Sequence, residues 1–293
     1  MATTYSRKLI RLSPTTSVVS LPAAWLRKRR LPKGATLTVI DRGDALIVQP
    51  TSAPTRKDAS IDVSGLSERE VWLAIDAAYV AGNDRIAIRT RDRAQATRME
   101  RVSQYFPGLI VDEERADTVV LRDMAGEPTA DIASVVTRIG HATLALLEDA
   151  RTAIDRREWS VLADAKRRDY HINAYASLAL RQLGKHGHEH PGPVHTRIVL
   201  LEGIADRVCA LLIAVGAARR ADAHTRELID GLHGAYRAAT QAGTDLARFE
   251  RDLARLRAAA ERAPVPVAVR ATSLLDALWD LVERDAIARI GAT

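Results

Sequence analysis

Cysteine is all but absent. The chain has one, Cys209, in 293 residues, which excludes an internal disulfide framework and fits a reducing compartment. Long apolar runs are missing too. No stretch approaches the roughly 20 residues that a membrane helix needs. The beginning lacks the apolar stretch of a signal peptide, so the expected location is the cytoplasm. Aromatics make up only 4% of the residues, while Ala, Leu and Arg dominate. That composition belongs to long packed helices rather than to a large β structure. Signatures of catalysis are lacking as well: there is no P-loop, no G-x-G-x-x-G after a strand and no nucleophile elbow. Cys209 shares an apolar face with Val208, Leu212 and Ile213 and reads as a core thiol. Trp25, Trp72, Trp159 and Trp279 are spread along the chain as core anchors. An enzyme is not expected.

Proline is scarce where it matters. Pro14, Pro22, Pro32, Pro50 and Pro54 break up the start, but none occurs between Pro128 and Pro191 or between Pro193 and Pro264. Proline interrupts helices strongly, so the second half can hold long uninterrupted ones.

What the chain does have is a concentrated positive charge. Residues 1–52 contain nine Lys and Arg against two Asp, a net +7, whereas the whole chain is +6. The remaining residues therefore sum to −1, and a polyanionic partner would meet the protein at its start. Within that start, Ser17–Ile40 holds no acidic residue at all.

Three segments follow from the patterning. In the first, Val18–Leu21 is a short β-branched run and Pro22 suits a first helical position before Ala23–Arg29. Leu31–Gly34 reads as a turn, and Thr36–Ile40 and Ala45–Gln49 as strands of a hairpin around Asp41–Asp44. Pro50–Asp58 reads as a linker. In the second, Glu68–Val80 carries a helical stripe of Val71, Ile75, Ala78 and Tyr79 closed by Gly82 and Asn83. Arg85–Arg89 alternates as a strand, Arg93–Phe106 is amphipathic, and Leu109–Val111 and Thr118–Leu121 pair as strands. In the third, Ile132, Val135, Val136, Ile139, Leu146, Leu147 and Ile154 form one buried stripe. Further helices are predicted at 158–185, 194–219, 222–242, 244–262 and 266–290, with mostly short connections between antiparallel neighbours. The sequences LEGIAD (201–206) and LDALWD (275–280) form a faint internal repeat, each near the middle of the third helix of a trio.

The order strand, SLPAAWL helix, LPKGATLTVI strand, hairpin and ALIVQP strand resembles the SpoVT/AbrB swapped-hairpin module. The remainder resembles the archaeal branch of the PhoU phosphate-uptake regulators. AIDAAYVAGNDRIAI and GLIVDEERADTVVLRDM are similar to its intervening α/β segment, and RRDYHINAYASLALRQL and VLLEGIADRVCALL to the second and third helices of its first three-helix repeat. The resemblance implies an α+β multidomain protein. It would comprise a swapped-hairpin β domain over 1–52, a small α/β domain over 53–127 and an all-α domain of tandem three-helix bundles over 128–293. It also implies a regulator rather than a catalyst: an intertwined homodimer that contacts DNA through basic residues, with a helical domain coupling phosphate supply to transport or transcription.

The candidate DNA-binding residues are Arg7, Lys8, Arg11, Arg27, Lys28, Arg29 and Arg30. Lys and Arg neutralise phosphates and release counterions, and Arg can also read guanine edges. The alternative is a solvated basic face on a dimerisation module. Arg27–Arg30 ends a predicted helix, where cations also complement the helix dipole, so part of that run is structural.

The resemblance implies carboxylate pairs that bind metal. Glu202 with Asp206, and Asp276 with Asp280, each lie four apart on one helical face and can present oxygens to a hard divalent cation. The second helix of the pattern departs from this, since Asn173 stands where the partner of Asp169 is expected. Glu250 and Asp252 of the fifth helix lie only two apart. The alternative is carboxylates that face solvent or pair with Arg207, Arg168 or Arg284. His186, His188, His190 and His195 fall in a Gly/Pro-rich connection whose spacing matches no structural zinc pattern, and a helix-connecting loop is the better reading. Two rival functions stay open: an adaptor that never touches DNA and docks on a phosphate transporter or sensor kinase, and a metal-binding helical protein.

Overall fold

A computed structural model of the chain describes residues 4–41, 46–50, 57–124, 131–186, 190–219, 222–241 and 243–290. The architecture is α+β. It divides into two compact units, Met1–Thr55 and Arg56–Thr293. The expected Asp41–Asp44 turn and the Pro50–Asp58 linker fall largely outside the described residues, as does the expected 127/128 boundary.

The first unit is made of two hairpins and a short helix. β1 (Leu9–Arg11) pairs antiparallel with β2 (Ser17–Val19), placing Leu9 opposite Val19. Pro22, with φ −63°, stands at the N-cap of α1 (Ala23–Lys28), one position earlier than its sequence preference suggests. α1 stops within two turns because Arg30 adopts a left-handed φ of 51° and the turn runs on through Gly34, φ 85°. β3 (Leu37–Asp41) pairs antiparallel with β4 (Leu46–Pro50), Val39 opposite Val48. None of the residues of this unit whose burial is described is buried, and Leu9, Leu12 and Leu46 are 74%, 68% and 65% exposed.

The second unit begins with a four-stranded sheet. Its elements are β5 (Asp58–Asp62), α2 (Glu68–Val80), β6 (Arg85–Arg89), α3 (Arg93–Ser103), β7 (Leu109–Glu114) and β8 (Thr118–Asp123). The strand order is β5-β6-β8-β7, with β5 and β6 parallel and the other pairs antiparallel. Period-two alternation sends Ile86, Ile88, Val119 and Leu121 to one face, where Val71, Ile75, Tyr79 and Phe106 cover them. α2 starts at a capping box, in which Ser67 accepts from the Glu70 amide while the Glu70 carboxylate accepts from the Ser67 amide. Asp92 caps α3 by accepting from the Gln95 amide.

Among the described residues seven helices follow: α4 (Ile132–Arg156), α5 (Ser160–Ala163), α6 (Ala165–His186), α7 (Pro191–Ala218), α8 (Ala223–Thr240), α9 (Leu246–Ala260) and α10 (Val265–Ile290). The single helix expected over 158–185 is broken at Asp164, whose carboxylate binds Arg167. Asp131, Asp222 and Asp245 cap α4, α8 and α9 by accepting an amide three residues on. α4, α6 and α7 form one trio and α8, α9 and α10 another. α7 lies against α10 and α4 against α8, so like-numbered members of the two trios meet. A continuous core joins them through Ile139, Leu147, Ile204, Leu212, Leu232 and Leu278, all buried. Among the described residues no helix is long and apolar enough to cross a membrane.

The sheet layer and the helices keep separate apolar cores within this unit, joined by a polar seam where α2 lies on α6. Arg181 of α6 is 3% exposed. Its guanidinium donates to Tyr79 O at 2.5 Å, to Asn83 O at 2.9 Å and to Asp123 at 2.5 Å, and sits 4.6 Å from the centre of the Tyr79 ring. One turn further on, Lys185 binds Asp84. A buried cation with carboxylate and carbonyl partners is satisfied in place, and removing it strands its partners.

Candidate functional site

Two features compete for the role of functional site, one cationic and one acidic. The seven basic residues singled out by sequence are all exposed. Arg7 and Lys8 precede β1, and the Arg7 guanidinium stands 5.6 Å from the Tyr5 ring centre. Arg11 is partly engaged, since it donates to Ser13 O at 3.2 Å and Pro14 O at 3.1 Å and so braces the turn between β1 and β2. Arg27 and Lys28 occupy the last turn of α1, Arg29 its C-cap and Arg30 the left-handed residue beyond. There they offset the negative end of a short helix. Among the described residues none of the seven meets a carboxylate, so their charge is presented to solvent. A small cationic surface of this kind attracts a polyanion through long-range steering and counterion release.

The acidic feature lies between three helices. Asp169, Asn173 and Ser177 follow one another at four-residue spacing on α6, so they share a face. Asp76 of α2 reaches this face and accepts a hydrogen bond from Ser177 Oγ at 2.5 Å. From α7 come Glu202 and Asp206. Burial, and then the charges of Asp206, Asp169 and Asp76, push the Glu202 carboxyl up to about 7, with Arg207 opposing them. Burial, and then the adjoining Asp206, push Asp169 up to about 6. Burial raises Asp76 as well, against the pull of the Ser177 hydroxyl. Desolvation favours the neutral form of all three acids, and neighbouring carboxylates add to it at Glu202 and Asp169, so the cluster carries fewer charges than its number of acids suggests. Asp169 Oδ1 and Asn173 Oδ1 are both buried without a hydrogen-bond partner.

Glu202 and Asp206 thus belong to one acidic cluster with Asp169, and Asp76 joins from the α/β layer. The sequence reasoning missed Asp76 because it lies in a different segment; its one visible signal is its place next to Ile75, at the border of the buried stripe of α2. The repeat-related pair sits differently. Asp276 is bound to Arg257 of α9 at 2.7 Å and is largely exposed, and the charges acting on Glu202 come from α2, α6 and α7 rather than α10. Of the alternative cationic partners, Arg207 does act on Glu202 and also reaches Gly203 O and Ser273 Oγ, while Arg168 is taken by Asp149. Asp252 of α9 pairs with Arg255 and Arg248. Among the described residues no group of three or more His, Cys, Asp or Glu side chains is arranged to hold a metal ion.

Cys209 is buried on α7, and its thiol donates to Ala165 O at 3.6 Å. Burial raises its pKa strongly, so it is an inert core group. His190 stands at the N-cap of α7 and His195 is exposed in its second turn, while His188 and the side chain of His186 lie outside the described residues. Compared with known proteins, the chain matches no family model, no curated protein sequence and no solved structure.

Proposed function

We propose that the chain is a DNA-binding regulator of phosphate uptake. Two copies interlock through residues 1–52, and the helical trios act as the sensor or adaptor in the manner of a PhoU protein. It has no catalytic role. The observation that carries this reading is the coincidence of two properties in one short stretch. The first unit holds the whole basic excess of the chain, and no residue whose burial is described there is buried. Its two open hairpins leave Leu9, Ile10, Leu12, Val19, Val39 and Leu46 in water. Apolar surface left in contiguous short strands is covered by association, and a second copy supplies the same surface with two-fold symmetry. Dimerisation also doubles the charge, so the assembled module presents a strong cationic face to a duplex. Signals arriving at the helices act by changing the spacing or orientation of the paired modules.

The test is a fluorescence anisotropy titration of the full chain with duplex DNA at several salt concentrations. Affinity is expected to fall steeply as salt rises, with a log–log slope set by the number of phosphates neutralised. Absence of binding at about 50 mM salt would overturn the DNA reading and leave the adaptor that docks on a phosphate transporter or sensor kinase. Crosslinking to genomic sites then identifies the genes controlled.

A further inference from the structure

One end of the helical bundle opens into a groove between α4, α7 and α8, with a volume of about 610 Å³. That is the size of an ordinary small-ligand site. Its floor is Leu201 and Tyr236, both buried, and its walls are Ile132, Val136, Leu144 and Val194. Tyr236 does not need a ligand to satisfy it, because its hydroxyl donates to Gly140 O at 3.1 Å. The space comes from Gly140 on α4. A Cβ placed there would meet nothing nearer than Tyr236 Oη at 3.8 Å, so this residue leaves the middle of the groove empty.

Among the described residues the charged side chains that line the groove are Arg197 and Arg237. Arg197 is half-buried, ion-paired with Asp285 and donating to Thr240 O at 3.3 Å, so its charge is compensated. Arg237 and His141 stand exposed at the rim, and among the described residues neither meets a carboxylate. Among the described residues no Asp or Glu lines the cavity. An apolar floor beneath a cationic mouth selects a molecule with an apolar body and an anionic end. The body removes water from Leu201, Tyr236 and the aliphatic walls, while the anionic end stays at the rim, where it keeps part of its hydration and gains the Arg237 guanidinium.

We propose that this groove binds a small amphipathic carboxylate such as a medium-chain fatty acid, tail inward and carboxylate at Arg237. Because α4 and α8 belong to different trios, the ligand braces the contact between them. The site lies wholly within residues 56–293, so it stands or falls independently of DNA binding.

The experiment is isothermal titration of the full chain with decanoate below its micelle concentration, with decanol and decylamine as neutral and cationic counterparts of the same tail. Decanoate is expected to bind roughly tenfold or more tightly than decanol, and decylamine not at all. Gly140→Leu fills the groove from a helical position that welcomes a side chain, and it is expected to abolish decanoate binding. Arg237→Glu, an exposed change that leaves the apolar floor intact, is expected to weaken decanoate roughly tenfold and to remove the preference over decanol. Thermal unfolding of both variants verifies that they are folded. The proposal is overturned if decanoate does not bind the unaltered chain. It is equally overturned if decanoate and decanol bind alike and a folded Gly140→Leu or Arg237→Glu variant binds as before, since the tail would then be partitioning onto the surface.

Discussion

Residues 1–55 and 56–293 divide the molecule's charge and its burial in opposite ways. The first unit carries net +7 and has no buried residue among those described; the second sums to −1 and holds both apolar cores. In the second unit even cations are internal: Arg181 is satisfied by a carboxylate and two carbonyls. In the first, the described cations face water, and so do Leu9, Ile10, Leu12, Val19, Val39 and Leu46. The second unit stabilises itself by burial, whereas the first leaves several large apolar side chains in water. The lesson is that burial and exposed positive charge are separated here by position along the chain, and each can be perturbed without the other.

The largest expected effect breaks the second unit. Arg181→Met takes from the buried Asp123 its 2.5 Å ion pair and from Tyr79 O and Asn83 O their guanidinium donor, and should cost about 3–4 kcal/mol. Urea unfolding followed by circular dichroism measures it. A change below about 1 kcal/mol would mean that the seam is not what ties the sheet layer to the helices.

Next in size is the converse experiment. Replacing Arg27, Lys28, Arg29 and Arg30 by Ala should weaken DNA binding by roughly 100-fold at moderate salt and flatten the salt dependence. The same urea curve should be almost unchanged, because none of the four side chains is buried.

A smaller effect distinguishes the acidic cluster from ordinary surface carboxylates. Glu202 and Asp169 are acids whose pKa values in the folded chain stand above their ordinary 4.5 and 3.8, at about 7 and about 6. Folded protein therefore keeps protons that unfolded protein has released. Their contribution to stability is full below about pH 4 and is lost as pH rises toward 7. Glu202→Gln should raise the unfolding free energy at pH 8 by about 1–2 kcal/mol, after allowing for partial solvent screening, with the gain shrinking toward pH 4.5. Unfolding curves across that range check the sign; a gain that grows on acidification contradicts the assignment.

The smallest effect concerns the end of α4. Arg157 holds a left-handed φ of 57° at the C-cap, where a glycine is free of the side-chain penalty. Arg157→Gly should stabilise by about 0.5–1 kcal/mol, read as a modest rise in melting temperature.

The sequence was most informative where local patterning and final environment agree. Glu68–Val80 and Arg85–Arg89 were placed to the residue because a helical stripe and a strict alternation each survive in the packed unit. The long helices followed from where proline is missing. β5 escaped notice because DASID offers only Ala59 and Ile61 between polar neighbours, and pairing with β6 rather than propensity makes it a strand. The break at Asp164 has no proline or glycine to announce it. Of the candidate sites, the basic run is visible in composition alone. The acidic cluster is half legible: spacing suggests Glu202 and Asp206, the family resemblance points to Asp169 as the remaining member of a broken pair, but the arrival of Asp76 depends on α2 lying across α6, a tertiary fact. The groove at Gly140 is not legible at all, since a single glycine in a helix says nothing of what faces it.

Arg181 has a mechanical consequence. Its guanidinium grips the last turn of α2 at Tyr79, the turn that follows it at Asn83 and, far along the chain, the end of β8 at Asp123. Those points share one anchor, so they loosen together or not at all. A slide of α6 along its axis drags all three, and the sheet layer follows the helix as a lever follows its pin. Native-state hydrogen exchange at Gly82, Asn83 and Asp123 then reports a single opening event rather than three independent ones.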